Sequence, residues 1–370
     1  MTEIMGIINL SESSEKLKDL TYTRTIATIP IGGRYRVIDF ILSNMVNSSI
    51  VNITISTEEK ARSIYNYVGY GRCWDLDRKN DGLNIFNPEV SSVDVVQKKG
   101  DIEVFKSMIN HIKRSTQEYV LLSRSYMICN VEYKGMLEKH KESGADITIM
   151  YKRMKNDNER FIDCDTVNFS DGLEVMSIGK NLGKKEIYNI SMEMYLMKKD
   201  LLVEIIEEAI HVGSVRHLKE SIMNQVGHLK VYGYPFEGYL ACINSLKNYY
   251  KTNMDLLDRD IRNELFNSDS LIYTRVKDSP PTFYGDESYT CNSFISSGCV
   301  IEGVVENSIL SRNVHVKKGA IVRNCILLRD VVINKTSSIN SMILEKDVVI
   351  GERKTFSGDV SHPYIVRENI

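Results

Sequence analysis

The residues best suited to chemistry lie together near the N-terminus. Pro30, the pair Gly32-Gly33, Arg34 and Arg36 precede an apolar helical run beginning at Val37. Paired glycines let a backbone approach a ligand closely. A helix N-terminus favours negative charge. The chemistry on offer is the holding of a phosphate or a similar anion. The same residues also suit a glycine-relieved turn with surface arginines, and residue types alone leave both readings open.

The elements that must position these residues alternate. Met5 to Asn9 reads as a first strand, Val37 to Asn47 as a helix with Val37, Phe40, Ile41 and Met45 on one face, and Val51 to Ile55 as a β-branched strand. Thr57 with Glu58 and Glu59 reads as a helix start. Gly69 to Ser92 is loop-like and holds Trp74. A helix through Ile102, Phe105, Ile109 and Ile112 follows, then strands at Tyr119–Ser123 and Ala145–Tyr151 flanking a helix over Tyr133–Ser143. Strands are expected at Thr166–Phe169, Glu174–Ile178, Ile187–Met197 and Leu229–Tyr234. Helices are expected at Lys199–Ala209, Val215–Val226 and Leu246–Asp258. Such alternation predicts an α/β domain on a sheet covered on both faces.

After Pro280-Pro281 the helical signals stop. Val304, Leu310, Val316, Val322 and Leu328 are apolar at a spacing of six, and Ser308, Val314, Ala320, Ile326 and Val332 repeat four residues after each. A β-sandwich would alternate by two. A period of six predicts a hexapeptide-repeat parallel β-helix, with its register breaking after about Asn334 and a turn resuming at Asp347-Val348-Val349-Ile350-Gly351.

Composition bounds the rest. A chain of 370 residues predicts about two domains. Net charge is -2, so no global basic field points to nucleic acid. No apolar run approaches the ~20 residues of a membrane span, and the N-terminus lacks the pattern of a signal peptide. Seven scattered cysteines without C-x-x-C predict reduced thiols in a cytoplasm.

The motif Pro30-Ile31-Gly32-Gly33-Arg34-Tyr35-Arg36-Val37-Ile38-Asp39-Phe40, continued by Leu42-Ser43-Asn44 and Asn47-Ser48, resembles that of ADP-glucose pyrophosphorylase (glucose-1-phosphate adenylyltransferase). Asn253-Met254-Asp255-Leu256 and the β-helix entry Gly303 to Ser308 are similar to the same family. The resemblance implies a Rossmann-like (GT-A-like) nucleotidyltransferase domain with a mixed sheet over residues 1–260, a linker over 261–290 and a left-handed parallel β-helix over 291–370. It also implies adenylyl transfer from ATP to glucose 1-phosphate, with a glycine loop for the triphosphate, carboxylates for Mg²⁺ and a lysine for the sugar phosphate.

The chain departs from the family at each of these parts. The glycine-rich loop reads Asn9-Leu10-Ser11-Glu12-Ser13-Ser14-Glu15-Lys16-Leu17, with no glycine, and Glu12 and Glu15 would face the triphosphate. Lys16 keeps the basic position in kind. The two metal aspartates become Ser125 and Cys242, and a glycine beside the first becomes Arg124. Hard divalent cations prefer anionic oxygen, which neither a hydroxyl nor a thiol supplies. Arg124 could take the metal's charge but not coordinate as it does. The family's W-Y-x-G-T-A becomes Gln97 to Ile102, and S-M-G-I-Y has Glu193 in place of glycine. Lys180 matches the sugar-phosphate lysine while its neighbours do not, which equally suits a surface lysine. In the family's R-A-K-P, read here as Arg24 to Ala27, an effector-linked lysine is Ile26.

Scaffold motifs without machinery resemble the GlgD-type branch of the family, the partner of a catalytic subunit in a heterotetramer. The resemblance implies a catalytically silent regulatory subunit in ADP-glucose formation for glycogen synthesis. Mg²⁺ and ATP would be used by the partner; no catalytic residue, metal or cofactor of its own is expected, nor any contact with nucleic acid or membrane. Two alternatives stay open. One is an active transferase with other metal ligands, drawn from Asp39, Asp75 or Asp77. The other is a module sensing a sugar phosphate or nucleotide through Arg34, Arg36 and Lys180.

Overall fold

Short β-branched runs separated by amphipathic helices build the first of two compact units, formed by residues 1–12 and 40–240. The second holds residues 13–39 and 241–370. The computed structural model describes residues 3–369 apart from 58–59, 88–99, 156–159, 171 and 268–269. The helix start at Thr57-Glu58-Glu59 and residues Gln97 to Lys99 fall wholly or partly outside the described residues.

Nine strands make one mixed sheet: β1 (Ile4–Asn9), β2 (Asn52–Ser56), β3 (Gly82–Phe86), β4 (Tyr119–Ser123), β5 (Ile147–Lys155), β6 (Asp165–Phe169), β7 (Val175–Lys180), β8 (Ile187–Lys198) and β9 (Val231–Pro235). Their path is β7-β6-β8-β4-β1-β2-β3, with β5 pairing β8 and β9 pairing β5. β1 is parallel to β2 and β4, whereas the long β8 is antiparallel to β4, β5 and β6. Every residue of β1 and β4 is buried, as the unbroken apolar runs require. Met5, Ile7, Val120 and Leu122 pack with Phe105, Met108 and Ile112 of a helix over Ile102–Arg114 and with Leu202 and Ile206 of one over Lys199–Val212.

Several elements depart from expectation: the helix expected over Leu246–Asp258 ends at Asp255, and others are new. The stretch read as loop from Gly69 contains β3, which pairs parallel with β2. It is an edge strand of only partly buried Leu, Asn, Ile and Phe after a glycine, so neither alternation nor a buried run marks it. A further helix spans Arg259–Phe266, started by the Asp258 carboxylate, which accepts from the N–H groups of Asp260 (2.8 Å) and Ile261 (3.2 Å).

In the second unit three five-stranded parallel sheets stack as a left-handed β-helix. It begins at Phe283–Tyr284, eight residues before the expected boundary at 291, because that strand already pairs with Val300–Ile301. The units also part elsewhere than at 260: residues 13–39 and 241–260 group with the β-helix. The strict period of six needs correcting. His315 pairs with Val332 and Val332 with Val349, which is 17 residues per coil, not 18, after a coil of 15 in which Val300 pairs with His315. One side in three is a residue short. Inward positions therefore run Val305, Leu310, Val316, Val322, Leu327, Ile333, Ile339, Leu344 and Ile350, all buried. A count of six from Val304 meets three of these and slips at Leu328. Past Asn334 the stacking runs on through the turn expected to resume at Asp347–Gly351, whose Val349–Ile350 pairs with Val332–Ile333, and ends with Tyr364–Val366 paired beside Met342–Leu344 after a longer connection. Corners recur at the same spacing in left-handed backbone, as at Asn307, Asn324 and Ser341 or Asn313, Asp330 and Asp347. Short polar side chains tolerate that conformation best. They also stack: Asn313 Nδ2 donates to Asp330 Oδ1 at 3.0 Å.

The Gly32-Gly33 pair is a hairpin turn. Pro30–Ile31 pairs antiparallel with Tyr35–Arg36, and both glycines have positive φ. Asn253 Oδ1 accepts the Gly32 N–H at 2.9 Å, Tyr249 donates to the Pro30 carbonyl at 2.9 Å, and Tyr35 stacks on Phe266. A Cβ on Gly33 would lie 2.9 Å from the Leu310 carbonyl oxygen and 2.9 Å from Ser296 Oγ. Gly33→Ala is expected to cost about 2 kcal/mol, from the left-handed conformation and the crowding together. Urea denaturation of the parent and the variant checks this, and an unchanged midpoint would mean the turn is not held against that coil.

Candidate functional site

The helix after the hairpin, Val37–Asn47, does not offer its N-terminus to a ligand. The Asp39 carboxylate accepts the Arg36 N–H there at 3.0 Å, and Arg36 Nη1 donates to the Thr28 carbonyl at 2.5 Å. Of the two readings of this motif, the turn is the one seen at the glycines.

At the C-terminal ends of β1 and β4 the first unit holds a buried ionic lattice. Asp101, fully buried just before the helix Ile102–Arg114, accepts from Asn9 Nδ2 (2.6 Å), Ser11 Oγ (2.8 Å) and the Leu218 N–H (2.7 Å). Arg124, on the loop after β4, reaches Asp101 at 3.6 Å and Glu193 at 3.5 Å and donates to Ser11 Oγ. Burial works against its charge, and the carboxylates of Glu193, Glu12 and Asp101 outweigh it, so its hold on its proton is raised. Glu12 Oε1 accepts from both the N–H (2.6 Å) and the hydroxyl (2.9 Å) of Ser125. Burial pushes the Glu12 carboxyl above its ordinary value of 4.5, against the pull of Arg124.

Glu193 is buried in β8 where the pairing register with β5 slips between Ser191 and Tyr195. Its φ is +53°, the left-handed region. Lys219 lies 3.0 Å from one carboxylate oxygen, and Tyr126 donates its hydroxyl to the same oxygen. Burial alone would raise this carboxyl; Lys219 and Arg124 hold it below the ordinary range instead. Lys219 also pairs with the fully buried Asp165. Asp165 in turn holds Lys180 at 2.7 Å, and burial, which weakens the Lys180 ammonium, is outweighed by that carboxylate. The space left among Asn9, Arg124, Glu193 and Lys219 is about 10 Å³, room for roughly one water.

These contacts locate the candidate residues. Ser125 spends its hydroxyl on Glu12, and Cys242 is a buried thiol-bearing residue, so neither fits a hard divalent cation. Glu12, expected to face a triphosphate, instead has its carboxylate turned onto Ser125. Glu15 and Lys16 are exposed and belong to the second unit. Asp75 is paired with Arg78 at 2.5 Å, Asp77 with Arg72 at 2.7 Å, and Asp39 caps its helix. Among the described residues no three His, Cys, Asp or Glu side chains gather to hold a metal. Asp101, Asp165 and Lys219 were not singled out in the sequence. Their partners lie up to 117 positions away, as Leu218 does from Asp101, so no local pattern marks them.

A second feature lies in the second unit. A cavity of about 750 Å³ is lined by Arg34, Lys277 and Arg312 together with Ser293, Ser296 and Asn292, and none of its described lining residues is acidic. The Lys277 ammonium is weakened first by burial and then by Arg329, Arg312, Arg275 and Arg36. Arg34 thus lines a cationic pocket and Arg36 stands within its field, whereas Lys180 belongs to the first unit. Arg24 is already held by Glu345 at 2.7 Å.

A mixed α/β sheet with a polar site at its strand ends, in one chain with a left-handed β-helix, is the build of a sugar-nucleotide-type nucleotidyltransferase. Residues 11–214 match the nucleotidyl transferase family, and residues 281–362 match the GlmU-like, C-terminal hexapeptide family. The glycogen biosynthesis protein GlgD of Bacillus subtilis (strain 168) is 34% identical over 317 residues, covering 86% of this chain and 82% of that protein. GlgD of Geobacillus stearothermophilus is likewise 34% identical, over 86% of this chain and 82% of its own length. The glucose-1-phosphate adenylyltransferase of Geobacillus stearothermophilus is 30% identical, over 83% and 79%. The chain belongs to the glucose-1-phosphate adenylyltransferase family, together with the GlgD proteins.

Proposed function

We propose that this chain is a catalytically silent regulatory subunit that assembles with a catalytic homologue of its family and modulates ADP-glucose formation for glycogen synthesis. The observation that carries this reading is the state of the strand-end site. The loop after β1 has no glycine to bring backbone N–H groups to a triphosphate, and Ser125, with Cys242 of the second unit, stands where the family resemblance puts the metal aspartates. Metal-assisted phosphoryl chemistry without its ion loses several kcal/mol of transition-state stabilisation, on the order of 10³-fold or more in rate. Mg²⁺ and ATP are then the partner's to use. The likeness to proteins named GlgD supports the same reading.

The subunit acts by contacts that differ between the partner's conformations, since only differential contacts shift an equilibrium. The pocket of Arg34, Lys277 and Arg312 supplies a place for an anionic effector, with Arg36 adding to its field. Mixing the chain with a catalytic homologue and sizing the product tests assembly: a hetero-oligomer, expected as a heterotetramer, supports the proposal, and separate elution of the two chains contradicts it. In the mixed enzyme, Arg312→Ala is expected to weaken the response to a phosphorylated effector by about tenfold in half-saturating concentration, roughly one charge-assisted contact. An unchanged effector response would remove this pocket from the reading.

A further inference from the structure

The lattice at the ends of β1 and β4 does more than lack a metal site. Glu193 occupies left-handed backbone, which strains a side-chain-bearing residue. Such strain persists only where surroundings over-determine it. Here they do: Arg124, Lys219 and Tyr126 all converge on one buried carboxylate. The position is glycine in the family motif that Ser191 to Tyr195 resembles, so the carboxylate is an insertion into the site.

We infer that Glu193, with Arg124 and Lys219, forms a permanent plug that closes the first unit to phosphate-bearing ligands. The chain's own ions fill the places where ligand charges would be met. Both lysines at this end already have anionic partners, Lys219 in Glu193 and Asp165, Lys180 in Asp165. The lattice is close to neutral: Arg124, Lys180 and Lys219 face Asp101, Asp165, Glu193 and a Glu12 shifted towards its protonated form. A phosphate would have to displace buried carboxylates from cations they contact directly, and the space left holds roughly one water. The plug also ties together the loop after β1, the loop after β4, the irregular part of β8 and the helix Leu218–Asn224, work that a bound ligand does in an open site. This deepens the silent-subunit reading and rests on it, but fails separately: assembly with a partner tests that reading, and ligand binding by the isolated full chain tests the plug.

The experiment measures binding of inorganic pyrophosphate to the full chain by calorimetry. Glu193→Gly suits the backbone and removes the inserted carboxylate, leaving Arg124 and Lys219 with vacant donors. It is expected to bind pyrophosphate at least tenfold more tightly than the parent, and Lys219→Ala in addition is expected to abolish the gain. The second comparison separates this site from the cationic pocket of the second unit, whose contribution all variants share. Equal affinity in the parent and Glu193→Gly, or parent binding that is lost with Lys219→Ala, overturns the plug. Should Glu193→Gly not fold, a double-mutant cycle of Arg124→Met and Glu193→Gln in urea decides. Coupling of at least fivefold in the folding equilibrium supports the plug, and additivity overturns it.

Discussion

Arg124→Met is expected to lower stability by about 3–5 kcal/mol, the range for removing one partner of a buried ionic group. The methionine fills most of the space, so packing contributes little and the loss is electrostatic. Glu193, Asp101 and Glu12 are left around a position that no longer carries a cation. The pH dependence gives a sharper signature. In the parent, Glu193 titrates below its ordinary value, so its stabilisation is present above about 4.5 and lost as pH falls through the lower folded value. Glu12 has the opposite sign: its raised folded value favours folding at low pH, and that advantage is lost as pH rises through it. Without Arg124 both carboxyls move upward, so the variant's deficit is expected to shrink between about pH 7.5 and about pH 5. Urea denaturation of both proteins at the two pH values measures it. A deficit under about 1 kcal/mol, or one that does not change with pH, would mean that the guanidinium is not neutralising these carboxylates.

Val322→Asp carries the other large effect. Val322 is fully buried inside the β-helix and stacks between Val305 and Ile339 of neighbouring coils. A carboxylate there has no cation among the inward residues and must either be desolvated or expel the coil; about 4 kcal/mol or more is expected. In a stacked array each coil is held by its neighbours, so damage at one coil spreads outward along the stack. Hydrogen exchange is expected to lose protection at Val305 and Ile339 first, with the β1–β9 sheet changing less. Uniform protection equal to the parent's would mean that Val322 is not inside the coil.

Much of this was legible in the sequence, and the limits have physical causes. The apolar runs Ile4–Asn9 and Tyr119–Ser123 reveal themselves because central strands are buried on both faces. The edge strand Gly82–Phe86 does not, being half-exposed and begun by glycine. The β-helix announces itself by a six-residue period, yet its true coil of 17 becomes clear only when Val332 is seen beside His315 and Val349. The glycine pair identified the family while suggesting a phosphate cradle. What the residues build is a hairpin turn held by Asn253 and Tyr249. At the strand ends, Glu12, Arg124 and Glu193 could be read as departures from a motif. That they answer one another could not, because Asp101, Asp165 and Lys219 join them only through the fold.

The most direct measurement is pyrophosphorolysis of ADP-glucose with Mg²⁺ by the purified chain, alone and mixed with a catalytic glucose-1-phosphate adenylyltransferase. A silent regulatory subunit gives no turnover above background alone and raises the activity of the mixture, or shifts its effector response, beyond that of the catalytic homologue by itself. Mg²⁺-dependent turnover by the chain alone, or a mixture indistinguishable from the homologue, would contradict it.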